Sequence, residues 1–108
     1  MLTSRETECF NACNTCVLDC YSCASIGLLE DNQKPVARAI KLSMECADIC
    51  RLAAASIAIR SENMYAICRL CAEVCKKCEM ECISHQMECY IKCAGSCRSC
   101  AEACIKLL

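Results

Sequence analysis

The cysteines of this chain recur with the period of an α-helix. Seventeen of the 108 residues are cysteine, and every interval within their clusters is three or four residues. That spacing places side chains on one face of a helix. The sequence therefore predicts several helices that carry thiols where a helical bundle would normally bury leucine. The clusters are Cys9, Cys13, Cys16, Cys20 and Cys23; Cys46 and Cys50; Cys68, Cys71, Cys75, Cys78 and Cys82; and Cys89, Cys93, Cys97, Cys100 and Cys104.

Capping residues divide this pattern into four helices. Thr3 and Glu6 form a capping-box signature, and Gly27 is suited to the C′ position that follows a helix. Pro35 is suited to the first turn of a second helix, and Ser61 to the N-cap of a third. We expect helices over about residues 3–26, 35–60, 61–83 and 86–107.

The connections between these helices are short, which makes neighbouring helices antiparallel. The predicted fold class is all-α: one domain, residues 1–108, folded as an antiparallel up-down-up-down four-helix bundle with a cysteine-lined core. The boundaries near Ser61 and Ser84 contain no Gly or Pro, and the cysteine stripe continues in phase through both. Periodicity alone therefore leaves open a single helix from Pro35 to Leu108 in a long oligomer. A bundle, however, encloses the thiols without partner chains.

The second predicted helix is apolar nearly all round. It carries only two cysteines, and the rest of its stripe consists of Val36, Ala39, Ser43, Ala53 and Ile57. A helix that is apolar on more than one side is buried on more than one side. In so short a chain the second side would meet another subunit, so we expect a homo-oligomer.

Composition favours reduced thiols over a disulfide scaffold. The cysteine count is odd, the chain has two Gly and one Pro, and residues 1–8 do not resemble an export signal. Disulfide scaffolds occur in small, loop-rich secreted domains that pair their cysteines. We therefore expect a cytoplasmic protein.

Charge and hydropathy exclude two classes of partner. The formal net charge is −1 and the basic residues do not cluster, so the chain lacks an electrostatic surface for nucleic acid. No apolar run approaches the roughly 18 residues that are needed to span a bilayer. We expect neither nucleic acid nor a membrane as a partner.

So many thiols in one core predict metal binding, because alanine, valine or leucine would pack there without oxidisable groups. Tetrahedral Zn²⁺ with four separate thiolates carries a charge of −2, and filling the core in this way would bury roughly −8. Each Cu(I) ion instead replaces one thiol proton and leaves the core near neutral. We therefore predict that the clustered cysteines bind roughly 15–17 Cu(I) ions per chain, with thiolates that bridge two ions.

Two other functions stay open at this point. A zinc or cadmium thiolate buffer like metallothionein would bind far fewer ions per cysteine. An iron–sulfur or redox enzyme would usually take its ligands from short loop runs such as C-x-x-C-x-x-C, which this chain lacks. The chain also shows no nucleophile–base pair and no Gly-rich phosphate loop. We expect no catalytic residues and no enzymatic activity.

Four segments resemble the bacterial four-helix-bundle copper storage proteins of the Csp type, and in particular their cytosolic branch. They are ECADIC at 45–50, ICRLCAEVC at 67–75, CISH at 82–85 and CRSCAEAC at 97–104. The resemblance implies an antiparallel four-helix bundle, a homotetramer and multiple Cu(I) ions along the core. It also implies turns near Ser61 and Ser84 in place of a continuous helix. We expect copper-exchanging chelators or chaperones as partners.

The resemblance further implies a role for His85, the only histidine of the chain. In the family, a histidine near the turn between the third and fourth helices lies at the open end where copper enters the bundle. We therefore add His85 to the predicted metal ligands, as a ligand or a relay. Cytosolic relatives are often richer in histidine at this end. Met64, in phase with the stripe at the opposite end, is expected to pack rather than to ligate.

Overall fold

The computed structural model describes all 108 residues and consists of four α-helices and one short 3-10 helix. The 3-10 helix Lys34–Val36 directly precedes the second α-helix. Turns separate the helices near residue 60 and near residue 85, so the continuous helix from residue 35 onward is excluded and the all-α bundle is confirmed. The helices are α1 (Ser4–Gly27), α2 (Ala37–Ala58), α3 (Met64–Cys82) and α4 (Glu88–Leu107).

The predicted capping box starts α1. Thr3 Oγ1 accepts a hydrogen bond from the backbone N–H of Glu6 at 3.1 Å, and Glu6 Oε1 accepts one from the backbone N–H of Thr3 at 2.8 Å. Two of the N–H groups that a helix start leaves unpaired are thereby satisfied. This fixes the residue at which α1 begins.

The prediction that Gly27 lies beyond the end of α1 is wrong. Gly27 is the last helical residue, it has no positive φ, and Leu28 is the C-cap. A Cβ at Gly27 would lie 2.6 Å from the hydroxyl of Tyr90 and 2.8 Å from Ile40 Cγ1. Glycine is therefore required here by the close approach of α4 and α2, and not by the backbone conformation of a helix cap.

The prediction that Ser61 caps α3 is also wrong. The N-cap of α3 is Asn63, and the Ser61 hydroxyl instead accepts a hydrogen bond from the Asn63 N–H at 3.0 Å within the turn. The turn itself is a Schellman motif, in which Ser61 N–H donates to Ser56 O at 2.9 Å and Arg60 N–H to Ile57 O at 3.1 Å. Arg60 is the residue of this motif that has a left-handed backbone conformation, with φ of 49°.

Pairs of sulfur atoms show how the helices run. Cys9 of α1 contacts Cys104 of α4 while Cys20 contacts Cys93, so the two helices are antiparallel. Between α2 and α3, Cys46 contacts Cys75 and Cys50 contacts Cys71, which is again the antiparallel order. The bundle is elongated, with principal dimensions of 46 × 18 × 17 Å. Its long axis is the axis of the thiol core.

The surface of the bundle gives no sign of a membrane span. None of the four helices combines the length and the hydropathy that crossing a bilayer requires.

Candidate metal centre

The structure buries all but one of the predicted cysteine ligands. Sixteen have no solvent-exposed surface, whereas Cys89 is half-buried. All seventeen are free thiols. The cysteine stripes of the four helices thus converge on one axis, which their three- and four-residue spacing requires once the helices pack as a bundle.

Three consecutive layers of the core each take one residue from each of the four helices. Two of these layers consist of thiols only. In the third, which lies toward the His85 end, α2 contributes a serine instead of a cysteine. The layers, taken from that end, are Cys20, Ser43, Cys78 and Cys93; Cys16, Cys46, Cys75 and Cys97; and Cys13, Cys50, Cys71 and Cys100.

The sulfur atoms are close enough to share metal ions. Cys46 Sγ lies 3.6 Å from Cys75 Sγ and 3.9 Å from Cys16 Sγ, and Cys50 Sγ lies 3.7 Å from Cys71 Sγ. A zinc–sulfur bond is about 2.3 Å long, so two sulfurs up to about 4.6 Å apart can ligate one ion of similar size. Several groups of four thiols have all their sulfurs within 4.8 Å of one another. One of these groups joins Cys16, Cys46 and Cys50 of neighbouring layers with Cys75.

Overlapping contacts make the core a continuous ladder of ligands. Cys16 Sγ contacts Cys20 Sγ at 3.7 Å along α1, and Cys46 Sγ contacts Cys50 Sγ at 4.0 Å along α2. Sulfurs at the middle of the core, such as those of Cys16 and Cys46, therefore have neighbours both within their layer and in the next one. This arrangement suits bridging thiolates, which bind two ions each, better than isolated four-ligand sites.

Hydrogen bonds among the thiols move their acidities in opposite directions. The nearby sulfur of Cys100, other neighbouring sulfurs and burial raise the pKa of Cys75 far above its ordinary value. Bonds from Cys16 and its neighbours lower the pKa of Cys46. Neighbouring thiols of one core therefore differ in how readily they lose a proton, and Cys46 is more acidic than Cys75.

His85 lies in the turn between α3 and α4, where the resemblance placed the open end. Its Nε2 lies 2.8 Å from Oε2 of Glu81, whose other oxygen accepts from Arg38 Nη1 at 2.7 Å. The bond to His85 and then the pair with Arg38 lower the pKa of Glu81. The imidazole also packs on the ring of Tyr90, with ring centroids 4.9 Å apart.

The sequence places neither Glu81 nor Tyr90 among the site residues: it predicts Glu81 on a solvated face of the third helix, and Tyr90 at the flank of the core or in an interface. The four-residue spacing of Glu81 and His85 could have predicted their contact, because residues four apart meet on one face of a helix. Nothing in the sequence indicated that Tyr90 would pack on His85. Its side chain is fully buried, its hydroxyl has no hydrogen-bond partner, and burial raises the pKa of Tyr90 to about 12.

Cys89 differs from the other predicted ligands. It lies in the first turn of α4 and lines a shallow groove with Ile26, Met87 and Lys92. At the opposite end of the bundle, Met64 is buried in the hydrophobic core as the first residue of α3.

Comparison with known proteins identifies similar chains that have the same arrangement over nearly their whole length. A family model described as Csp, copper storage protein, matches residues 2–108. The uncharacterized cysteine-rich protein YhjQ of Bacillus subtilis (strain 168) is 40% identical over 96 residues, which cover 89% of each chain.

Two solved structures share the fold. The Cu(I)-bound copper storage protein BsCsp3 superposes with a TM-score of 0.91 at 37% identity, over 95% of this chain and 97% of that one. A cytosolic copper storage protein from Streptomyces lividans, loaded with five coppers, superposes with a TM-score of 0.92 at 33% identity, over 96% of this chain and 92% of that one.

Proposed function

The chain belongs to the Csp copper storage protein family, and from this premise we propose that it stores Cu(I) by binding many ions through bridging thiolates along its core. The observation that carries the proposal is the ladder of sulfur layers, whose neighbouring atoms lie 3.5–4.0 Å apart. The ligands are the seventeen cysteines together with His85. The zinc or cadmium alternative has no support among the solved relatives, which are copper storage proteins.

The charge of the core supports a monovalent cargo. A thiolate buried without compensation is costly, and the core has no cationic side chain among its buried residues. One Cu(I) ion for each thiol proton keeps the core neutral at every stage of filling. Soft thiolate ligands also select Cu(I) over the harder divalent ions.

Copper enters and leaves at the His85 end of the bundle. His85 is only partly buried there, and the sulfur ladder begins at the neighbouring Cys82 and Cys23. An ion captured by the imidazole can pass to a thiolate and then along the ladder, because sulfurs of successive layers lie as close as 3.7 Å between Cys16 and Cys20 and 4.0 Å between Cys46 and Cys50. Release follows the same path to a chelator or a copper chaperone.

A Cu(I) titration tests the proposal. Reduced protein is titrated without oxygen against a chromogenic Cu(I) chelator, gel-filtered, and analysed for copper and protein. We expect about 15 or more ions per chain from charge neutrality. Four or fewer would indicate discrete sites and refute the store. A parallel zinc titration should saturate at a much lower number of ions per cysteine.

The protein assembles as a homo-oligomer, a tetramer by analogy with the family, and works in the cytoplasm. Support for assembly comes from α2, which buries its core face and still leaves Met44 and Leu52 exposed, and Ile59 at its C-cap is exposed as well. Support for the compartment comes from the reduced thiols and from the Streptomyces relative, which is a cytosolic copper storage protein. Light scattering after gel filtration measures the assembly, and a monomer would refute it.

A further inference from the structure

Ser43 is the only hydroxyl inside the ladder of thiols. It occupies the place in its layer that Cys46 and Cys50 occupy in the next two layers, and it is fully buried. Toward the His85 end, the next buried residues of α2 are Ala39 and Ile40, whose side chains carry no polar atom. Copper that moves along the ladder from that end passes Ser43.

The hydroxyl of Ser43 makes contacts only with sulfur. Its Oγ lies 3.7 Å from Cys78 Sγ, 3.9 Å from Cys82 Sγ and 4.0 Å from Cys93 Sγ. A buried serine in a helix commonly satisfies its hydroxyl by bonding to a backbone carbonyl of the preceding turn. Ser56, on the same helix and also buried, does so by donating to the carbonyl oxygen of Ala53 at 2.8 Å. Ser43 is therefore not satisfied by its own helix but by the thiols of α3 and α4.

Copper binding changes what these sulfurs can do. A free thiol can donate a weak hydrogen bond or accept one, but a thiolate can only accept. Once Cu(I) has replaced the protons of Cys78, Cys82 and Cys93, the Ser43 hydroxyl is the only group in these contacts that can still donate, and its one proton goes to one of the three thiolates at a time. A hydroxyl oxygen is also a hard ligand that Cu(I) does not favour, so Ser43 does not replace the missing thiolate as a ligand.

We propose that Ser43 donates a hydrogen bond to the copper-bearing thiolates of its layer, in the place where a fourth sulfur ligand would stand. The proposal rests on the copper-storage function and extends it to a residue that holds no metal itself. Hydrogen bonds to charged acceptors are stronger than those to neutral ones, so the hydroxyl stabilises the copper-loaded layer relative to the protonated one. With one sulfur fewer, this layer also holds less copper than the all-thiol layers beside it.

Two substitutions at Ser43 separate the hydrogen bond from the number of ligands. Ser43→Ala removes the donor and leaves every thiol in place, whereas Ser43→Cys supplies the fourth sulfur with little change in volume. Ser56→Ala and Ser56→Cys are the matched controls, because Ser56 is equally buried on α2 but bonds to Ala53. Each variant is loaded with Cu(I) without oxygen, its copper content is measured, and the initial rate of copper removal by excess bathocuproine disulfonate is followed by absorbance.

The initial rate reports on Ser43 because Cys82, one of the three sulfurs that its hydroxyl contacts, begins the ladder at the end where copper leaves. We expect Ser43→Ala to bind as much copper as the wild type and to lose its first copper roughly tenfold faster. We expect Ser43→Cys to bind one more ion and to release its first copper more slowly. Both Ser56 variants should match the wild type in content and in rate.

A wild-type release rate in Ser43→Ala would overturn the proposal. If Ser43→Ala loses its helical circular dichroism, the test rests on Ser43→Cys. A copper content of Ser43→Cys equal to that of the wild type would then overturn the proposal. Failure of the storage function looks different, because the wild type itself would then bind four or fewer ions.

Discussion

The imidazole of His85 is tied to Glu81, with Nε2 of the histidine 2.8 Å from Oε2 of the carboxylate. Arg38 of α2 holds the other carboxylate oxygen, so three residues from two helices and a turn fix one ring. A carboxylate that accepts from one imidazole nitrogen orients the ring and leaves the other nitrogen, here Nδ1, free for a metal. Glu81 is thus a positioning residue for the histidine that we propose as the first contact of incoming copper.

Substitution of Glu81 should change the rate of copper uptake and leave the capacity unchanged. Loss of the carboxylate partner of a metal-binding histidine typically costs tenfold to a hundredfold in metal affinity or activity, and we expect the initial uptake rate of Glu81→Ala to fall by roughly tenfold. Stopped-flow mixing with a Cu(I) donor complex measures that rate. Glu79→Ala is the control. Glu79 lies on α3 like Glu81, its side chain is similarly exposed, and it is paired with Arg98 of α4, but it does not contact His85.

His85→Ala should behave in the same way, with a larger effect on uptake and removal rates than on the copper content. The content falls by at most about one ion, because the thiols supply nearly all the ligands. Copper analysis of the gel-filtered protein measures this. If the content fell by several ions, His85 would organise a cluster, and its role as a ligand or relay at the mouth of the bundle would be wrong.

Gly27→Ala should destabilise the metal-free protein although alanine is the better helix former. Alanine gains about 1 kcal/mol over glycine in a helix interior. At this position, however, the new Cβ would lie 2.6 Å from the Tyr90 hydroxyl and 2.8 Å from Ile40. Forcing such contacts in a packed core costs about 1–3 kcal/mol. Urea unfolding under reducing conditions measures the net loss, and a rise in the midpoint would show that α4 shifts freely.

Tyr90→Phe should leave the stability unchanged or raise it. The Tyr90 hydroxyl is buried without a partner, and an unsatisfied buried polar group costs about 1–3 kcal/mol. Removal of the hydroxyl eliminates that cost and keeps the packing of the ring against His85. Urea unfolding under reducing conditions measures this change in stability. In the Gly27→Ala background, Tyr90→Phe should recover part of the lost stability, since the hydroxyl is the nearest atom to the added Cβ.

The predictable part of the fold is the part that repeats. Cysteine spacing predicted the buried face of every helix, because a helical stripe has to face the core wherever the helix packs. The roles of Gly27 and Arg60 were not predictable, since one depends on where Tyr90 packs and the other on a left-handed turn formed without glycine. Cys89 is in phase with its stripe, but α1 ends at Gly27 and α3 at Cys82, so less of the bundle covers it.

Stability should fall as the pH is lowered through the titration of Glu6. The hydrogen bond from the Thr3 N–H, with a contribution from Arg60, lowers the pKa of Glu6 below its ordinary value of 4.5. A carboxylate whose folded pKa is depressed stabilises the fold above its unfolded pKa, and this contribution is lost as the pH falls through the folded pKa. Unfolding midpoints between pH 7 and pH 3 should decline less steeply in Glu6→Gln. Glu8→Gln, at an exposed carboxylate in the same region of α1, should keep the wild-type slope.

Cys89 should be the first thiol to react with an alkylating or disulfide reagent in the folded, metal-free protein. The other sixteen cysteines have no exposed surface, so a reagent reaches them only when the bundle opens. Addition of 5,5′-dithiobis(2-nitrobenzoic acid) should therefore give one fast thiol per chain and a slower phase from the core. Cys89→Ser should abolish the fast phase, and Cys93→Ser, one turn farther along α4, should retain it. A fast phase that persists in Cys89→Ser would mean that core thiols become accessible by local opening at one end of the bundle.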